Sequence, residues 1–260
     1  MDILSEIVTH KRKEVASQKE LFPIKLLEKS IFFEGKPVSL RRYIQRKDKS
    51  GIIAEIKRKS PSKGMINQHV SVERTSIGYM QAGASGLSIL TDKNYFGGSI
   101  EDLKVARSFN FCPILRKDFM VDEYQIIEAK SIGADVILLI AAVLDKQEIE
   151  KLGTLARSLG MEVLLEVHSE AELQKVTDKI DLIGVNNRNL KTFETDVKTS
   201  KDLVGEIPSD FVKVTESGLH SPEVVNDLKA IGFQGFLIGE MFMKNSRPEK
   251  AAKEFISLTK

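Results

Sequence analysis

Three observations predict an α/β fold of the (β/α)8 TIM barrel type with an N-terminal helical extension. Eight short runs rich in Ile, Val and Leu recur from residue 51 onward. A stretch of helical period follows each run, so strand and helix alternate as in a parallel sheet covered on both faces. No glycine-rich G-x-G-x-x-G follows the first run, which disfavours the structural rival, an open doubly wound sheet. Counting strands does not by itself separate the two.

Residues 1–50 stand outside the repeat. ILSEIVTHKRKEVASQ places Ile3, Leu4, Ile7, Val8 and Val15 on one helical face, while PIKLLEKS and VSLRRYIQRK read as two further short helices. The extension would cover one mouth of the barrel; the pattern does not say which. The apolar runs then follow as GIIAEIK (from 51), GLSILTD (86), CPILRKD (112), ADVILLI (134), MEVLLEV (161), DLIGVNN (181), FVKVTES (211) and GFLIGE (235). The intervening helices are SVERTSIGYMQAGA, SIEDLKVARSF, DEYQIIEAKSIGA, DKQEIEKLGTLARSLG, SEAELQKV, DVKTSKDLVGEI, SPEVVNDLKAIG and RPEKAAKEFISL. Several open on Ser or Asp with an acid in the first turn and close on Gly, the expected start and stop signals. The chain is expected to be one domain, 1–260, with 1–50 as its extension.

Composition narrows the function classes. Thirty-nine Lys+Arg against 37 Asp+Glu, a formal charge of +2, is too balanced for an affinity built on phosphate-backbone neutralisation, so no nucleic-acid partner is expected. The longest apolar run, ADVILLIAAVL, is shorter than the roughly 18 residues of a membrane span, and the first residues mix acids and bases where a signal peptide would be apolar. No membrane partner is expected, and a single Cys112 fits a reducing compartment; the expected location is cytoplasmic. The four His show no ligand spacing, so no metal is expected.

Polar residues inside apolar runs point to chemistry, because an unpaired buried charge costs several kcal/mol. Glu55 and Lys57 share a face at the end of the first run. The third run ends in Arg116, Lys117 and Asp118, the fifth in Glu166 and His168, the sixth in Asn186, Asn187 and Arg188, the seventh in Thr215, Glu216 and Ser217. In a barrel these ends converge on one mouth, where catalytic groups from several strands meet. The bland alternative is an ion-pair layer that only closes the barrel top, but such a layer is usually filled by Val, Ile and Leu. Gly218 after Ser217, and Gly239 with Glu240 after the last run, offer backbone N–H groups for a phosphate. In KRKSPSKG, Lys57 reaches the mouth and Pro61 sets a turn that folds Lys59, Ser60 and Lys63 over an anionic ligand as a mobile loop. Tyr95, Phe96 and Phe119 lie at the same rim, where an aromatic can stack on a flat ring.

AEIKRKSPSKG, LTDKNYFGGS, LRKDFMVDEYQI, GADVILLIAAVL, LLEVHSEAEL, IGVNNRNL, TESG and FLIGEMFM, taken in this order, resemble the indole-3-glycerol phosphate synthase family of tryptophan biosynthesis. The resemblance runs from about residue 3 to the C-terminus, in the family's monofunctional form. It implies a lyase without cofactor that converts 1-(2-carboxyphenylamino)-1-deoxy-D-ribulose 5-phosphate into indole-3-glycerol phosphate, CO2 and water. Carried over by motif, Lys117 would be the general acid and Glu166 the base or proton carrier of the dehydration. Lys57 would hold substrate and share in proton traffic, and Glu55 would stabilise a cationic iminium. Asn186 and Arg188 would position the substrate and its carboxylate, with Glu216 and Ser217 lining the site. Gly218, Gly239 and Glu240 would cradle phosphate beside Lys57 and Ser60. Phe96, Phe119 and Leu138 would pack on the anthranilate ring. Family members that place a tryptophan in the N-terminal segment differ from this chain, which has none. The partner implied is the phosphorylated small molecule alone, and a monomer is expected.

A Lys acting as acid at neutral pH profits from a lowered pKa, and Lys57 and Arg188 are expected to supply the neighbouring positive charge. Two other readings stay open on the residues alone. A Schiff-base aldolase would use Lys117 as nucleophile and leave a borohydride-trappable adduct. A barrel without turnover, serving as a docking module, would show no product with the synthetic substrate.

Overall fold

The computed structural model describes residues 2–190 and 192–259; residues 1 and 260, the ends of the expected domain, lie outside the described residues. The barrel opens with β1 (Ile52–Ile56), followed by a small antiparallel hairpin of β2 (Lys59–Ser60) and β3 (Gly64–Met65). The remaining barrel strands are β4 (Gly86–Leu90), β5 (Ile114–Lys117), β6 (Val136–Ile140), β7 (Glu162–Val167), β8 (Leu182–Asn186), β9 (Val212–Glu216) and β10 (Gly235–Ile238). Every neighbouring pair is parallel, and β1 pairs with both β4 and β10, which closes the cylinder. Closure decides between the two architectures that strand counting left open.

Helices α4 (Val72–Gln81), α5 (Ile100–Phe109), α6 (Glu123–Ser131), α7 (Lys146–Ser158), α8 (Glu170–Leu173), α9 (Lys198–Leu203), α10 (Pro222–Ala230) and α12 (Pro248–Ser257) connect or follow the strands. Their starts are chemically marked. Ser71, Ser99, Asp122, Asp145 and Ser221 each accept a hydrogen bond from a first-turn backbone N–H, and Asp145 with Glu148 forms a reciprocal capping box. Two elements were not expected: the β2–β3 hairpin, and the one-turn helix α11 (Glu240–Met243) directly after β10.

Strand periodicity splits the apolar residues into two cores. Ile52, Ala54 and Ile56 of β1 face the helices, while Ile53 points inward to meet Leu115, Val136, Leu164, Leu182, Val212 and Val214 in the barrel's interior. The extension serves both ends of this interior. Helix α3 (Leu40–Ile44) inserts Leu40 and Ile44 into the inner core at the strands' N-terminal end. Gly86 allows this, because a Cβ there would lie 2.7 Å from Leu40 Cδ1. Helix α1 (Ile3–Leu21) lies over the opposite mouth, where Ile3, Leu4 and Ile7 line a cavity. Between them, α2 (Ile24–Leu27) packs on α6. Lys11 anchors α1 to the rim: its buried ammonium is 2.9 Å from Asp92 and 3.0 Å from Asp118, which follow β4 and β5. No helix among the described residues is long and apolar enough to cross a membrane.

Candidate active site

The period of two that builds the inner core also builds the layer above it. Glu55, Lys117, Glu166 and Glu216 each stand two residues beyond an inner apolar side chain: Ile53, Leu115, Leu164 and Val214. Asn186 stands at the same level on β8, paired in register with Glu216. These side chains therefore rise together at the C-terminal mouth. They line a cavity in which about 190 Å³ is open to the centres of water molecules. One water needs roughly 10–15 Å³ by that measure, so this is a ligand-sized space and not a packing void.

Every residue to which the resemblance gives a role lines this one cavity: Glu55, Lys57, Ser60, Phe96, Lys117, Phe119, Leu138, Glu166, Asn186, Arg188, Glu216, Ser217, Gly218, Gly239 and Glu240. Lys59, Lys63 and Tyr95, expected at the same rim, do not line it: Lys59 donates to Asn94 O, Tyr95 donates to Glu6 on α1, and Lys63 is exposed. Their neighbours at the strand ends do not all join them. Arg116 points outward and is buried among Thr91, Asp118 and Glu128. Asn187 ties the backbone of Glu216 and Ser217 to Thr215.

Lys117 is the centre of charge. Its Nζ donates to Glu166 Oε2 at 2.9 Å and to Glu216 Oε1 and Oε2 at 3.1 and 2.9 Å. The other oxygen of Glu166, Oε1, accepts from Asn186 Nδ2 at 3.0 Å. Lys57 is paired with Glu55 at 2.9 Å, and Glu55 also accepts from Ser88 Oγ at 3.3 Å. A Cβ on Gly239 would fall 2.5 Å from Glu55 Oε1, so the close approach of that carboxylate itself requires glycine at 239.

This geometry overturns the expectation of a lowered Lys117 pKa. Burial does push it down, but attraction from Glu166, Glu216 and Glu55 outweighs burial and holds the ammonium above its ordinary value. The cations expected to oppose it are occupied elsewhere, Lys57 by Glu55 and Arg188 by Ser62. Burial also works against ionised Glu166, but Lys117 and then His168 hold that carboxylate below the usual range. Burial, then repulsion from Glu166, pushes Glu216 up to about 8. Glu166 and Glu216 compete for the same Lys117 ammonium, so the three groups titrate as one coupled unit.

The rim supplies the rest. The β2–β3 hairpin folds Ser60, Pro61 and Ser62 over the cavity, and Lys59 N–H donates to Phe96 O at 3.2 Å. Arg188 Nη1 donates to Ser62 Oγ at 3.0 Å, and Nη2 is 3.8 Å from Glu240 Oε2. The rings of Phe96 and Phe119 lie 6.0 Å apart with a 39° tilt, forming one apolar wall with Leu138. Ser217 has φ 67° and Gly218 φ 76°. Left-handed backbone is costly for serine, and such strain concentrates where a loop is held for function.

Sequence reasoning missed part of the wall. Ile3, Leu4 and Ile7 arrive from α1, and Leu190 and Phe193 from the loop after β8. The apolar stripe of α1 was visible, but its destination depends on Lys11, whose aspartate partners lie far along the chain. Phe193, at φ 62°, carries no signal of its own in the sequence.

Residues 4–255 match the family model described as indole-3-glycerol phosphate synthase. The indole-3-glycerol phosphate synthase of Bacteroides thetaiotaomicron is 51% identical, with 98% of each chain covered. That of Burkholderia lata is 43% identical over 98% of this chain and 99% of its own. Among solved structures, 3-hexulose-6-phosphate synthase of Salmonella typhimurium superposes with a TM-score of 0.63 at 11% identity, over 80% of this chain and 97% of that one. A tryptophan synthase complex of Pyrococcus furiosus gives 0.59 at 15% identity, over 81% and 97%. These two share the barrel fold alone, whereas the identity to the curated relatives runs the length of the chain. With its barrel, its full-length match to the family model and its identity to the curated relatives, the chain belongs to the indole-3-glycerol phosphate synthase family.

Proposed function

We propose that this chain closes the indole ring of indole-3-glycerol phosphate from 1-(2-carboxyphenylamino)-1-deoxy-D-ribulose 5-phosphate, releasing CO2 and water, a step of tryptophan biosynthesis. Lys117 gives a proton to the ribulose carbonyl oxygen while the ring carbon bearing the carboxylate attacks the carbonyl carbon. Loss of CO2 returns the bonding pair to the ring and restores its aromaticity. Lys117 takes up a proton from solvent and passes it to the new hydroxyl, which leaves as water, pushed by the aniline nitrogen. Glu166 takes the proton released from the adjoining CH2 carbon, and Glu55 faces the transient cation.

Glu216 keeps the Lys117 proton shared, so donor and acceptor stand on the same three-membered cluster. Arg188 and Asn186 hold the substrate carboxylate end, and Phe96, Phe119 and Leu138 pack on its ring. Backbone at Gly218, Gly239 and Glu240, with Lys57, Ser60 and Ser217 nearby, receives the phosphate. Anchors at both ends fold a flexible chain into a reactive shape, which by itself is worth several kcal/mol of the barrier. Residues 1–260 work as one barrel unit with the 1–50 extension, in the cytoplasm and as a monomer.

The observation that carries this reading is Lys117 bridging Glu166 and Glu216 within 3.1 Å on three different strands. It also argues against Schiff-base chemistry, since an ammonium so held is a poor nucleophile. Lys117→Ala is expected to keep the fold and lower kcat about a hundredfold to ten-thousandfold. Indole fluorescence from the synthetic substrate measures this, and unaltered turnover would reject the assignment.

A further inference from the structure

His168 follows Glu166 by two residues and leaves β7 on the same side, yet it does not line the cavity. Its ring stands behind Glu166, only 15% exposed, between two carboxylates. Nε2 lies 3.4 Å from Glu166 Oε1, and Nδ1 lies 3.2 Å from Glu172 Oε2 in the first turn of α8. The His168 backbone N–H donates to the same Glu172 oxygen at 2.7 Å. The ring is therefore fixed from the side away from the substrate.

Each ring nitrogen faces a carboxylate oxygen. A neutral imidazole has one donor and one lone pair, so one nitrogen would meet an acceptor with a lone pair of its own. Only the imidazolium presents an N–H toward both, bonding Glu172 through Nδ1 and meeting Glu166 at Nε2 as an ion pair rather than a hydrogen bond. Burial disfavours that cation, but Glu166 and Glu172 outweigh burial and raise its pKa to about 10. The acids acting on the ring are Glu166 from its own strand and Glu172 from α8. Lys117 and Glu216 face Glu166 from β5 and β9. Glu166 Oε1 thus accepts from Asn186 and has the His168 ring 3.4 Å away as an ion-pair neighbour, while Oε2 turns to Lys117.

We propose that His168 is a positioning residue for Glu166, an imidazolium anchored on Glu172 that fixes Oε1 from behind the cavity and keeps the carboxylate ready to accept a proton. The inference rests on the reading of Glu166 as proton acceptor. Without the neighbouring cation Glu166 would be easier to protonate, and turnover would fail first on the acid side.

The test is the pH dependence of kcat and KM, followed by indole fluorescence, for the wild type, His168→Gln, Glu172→Gln and Glu166→Gln, with circular dichroism as the fold check. His168→Gln is expected to move the acid limb of kcat upward by about one pH unit. KM should barely change, and activity should recover toward pH 9. Glu172→Gln should move the limb the same way by less, and it stands in should His168→Gln not fold. Nitrogen-15 spectra of the wild-type ring should show it still cationic at pH 8; a neutral ring overturns the inference. An acid limb that stays in place in folded variants overturns it too, even if kcat falls evenly at every pH. Loss of turnover in Glu166→Gln with that unmoved limb rejects His168 alone. Full turnover in Glu166→Gln rejects the reading of Glu166, and the inference with it.

Discussion

Lys117 shows why a residue's type and place do not determine its state. Its position at the end of β5 was legible from the alternation in CPILRKD, because Leu115 and Lys117 share a face. Its charge was not, because that depends on distances to Glu166 and Glu216, 49 and 99 residues away in sequence. His168 offers a stability measurement at the same scale. Its pKa rises from 6.5 to about 10 on folding, so the stabilisation is fully present below about 6.5 and is lost as pH climbs toward 10. The melting temperature of the wild type should therefore exceed that of His168→Gln most at pH 6, with the gap narrowing through pH 10. A gap that widens over that range would contradict the ion pairing.

Among elements, the barrel strands and their main helices were readable because each carries a full apolar period and a chemical start signal, as Asp145 does for α7. The hairpin and α11 were not, since two-residue strands and a single helical turn are too short to show a period. The extension was visible as helices, but its division of labour was not: α3 plugs one end and α1 roofs the other. Leu40→Ala should cost about 2–5 kcal/mol in denaturant unfolding, since Leu40 is fully buried in the inner core, while leaving KM nearly unchanged. Lys11→Met should cost about 3–5 kcal/mol, because Asp92 would stay buried without its cation and Asp118 would keep Arg116 alone. Unlike Leu40→Ala, it should also raise KM, because α1 carries Ile3, Leu4 and Ile7 to the cavity wall. An unchanged KM would mean that α1 only covers the barrel.

For the whole molecule, closure is what makes a site out of scattered residues. The β1–β10 pairing joins Ile52 to Phe236, 184 residues apart, and brings Glu55 against the Gly239 turn. Two cores separated by one sheet follow from the same alternation, and the charged layer is its continuation above the inner core. The cavity is consequently divided, with an aromatic and apolar wall under α1 and β4–β6, and glycine turns with the α11 start at β9 and β10. A product with a flat ring at one end and a phosphate at the other should lie across it in one direction only. A crystal structure with indole-3-glycerol phosphate bound measures this directly. The indole should rest on Phe96, Phe119 and Leu138, the phosphate at Gly218 and Gly239, and Lys117 and Glu166 should flank the bond formed between them. Product bound in the reverse direction, or outside this mouth, would contradict the account.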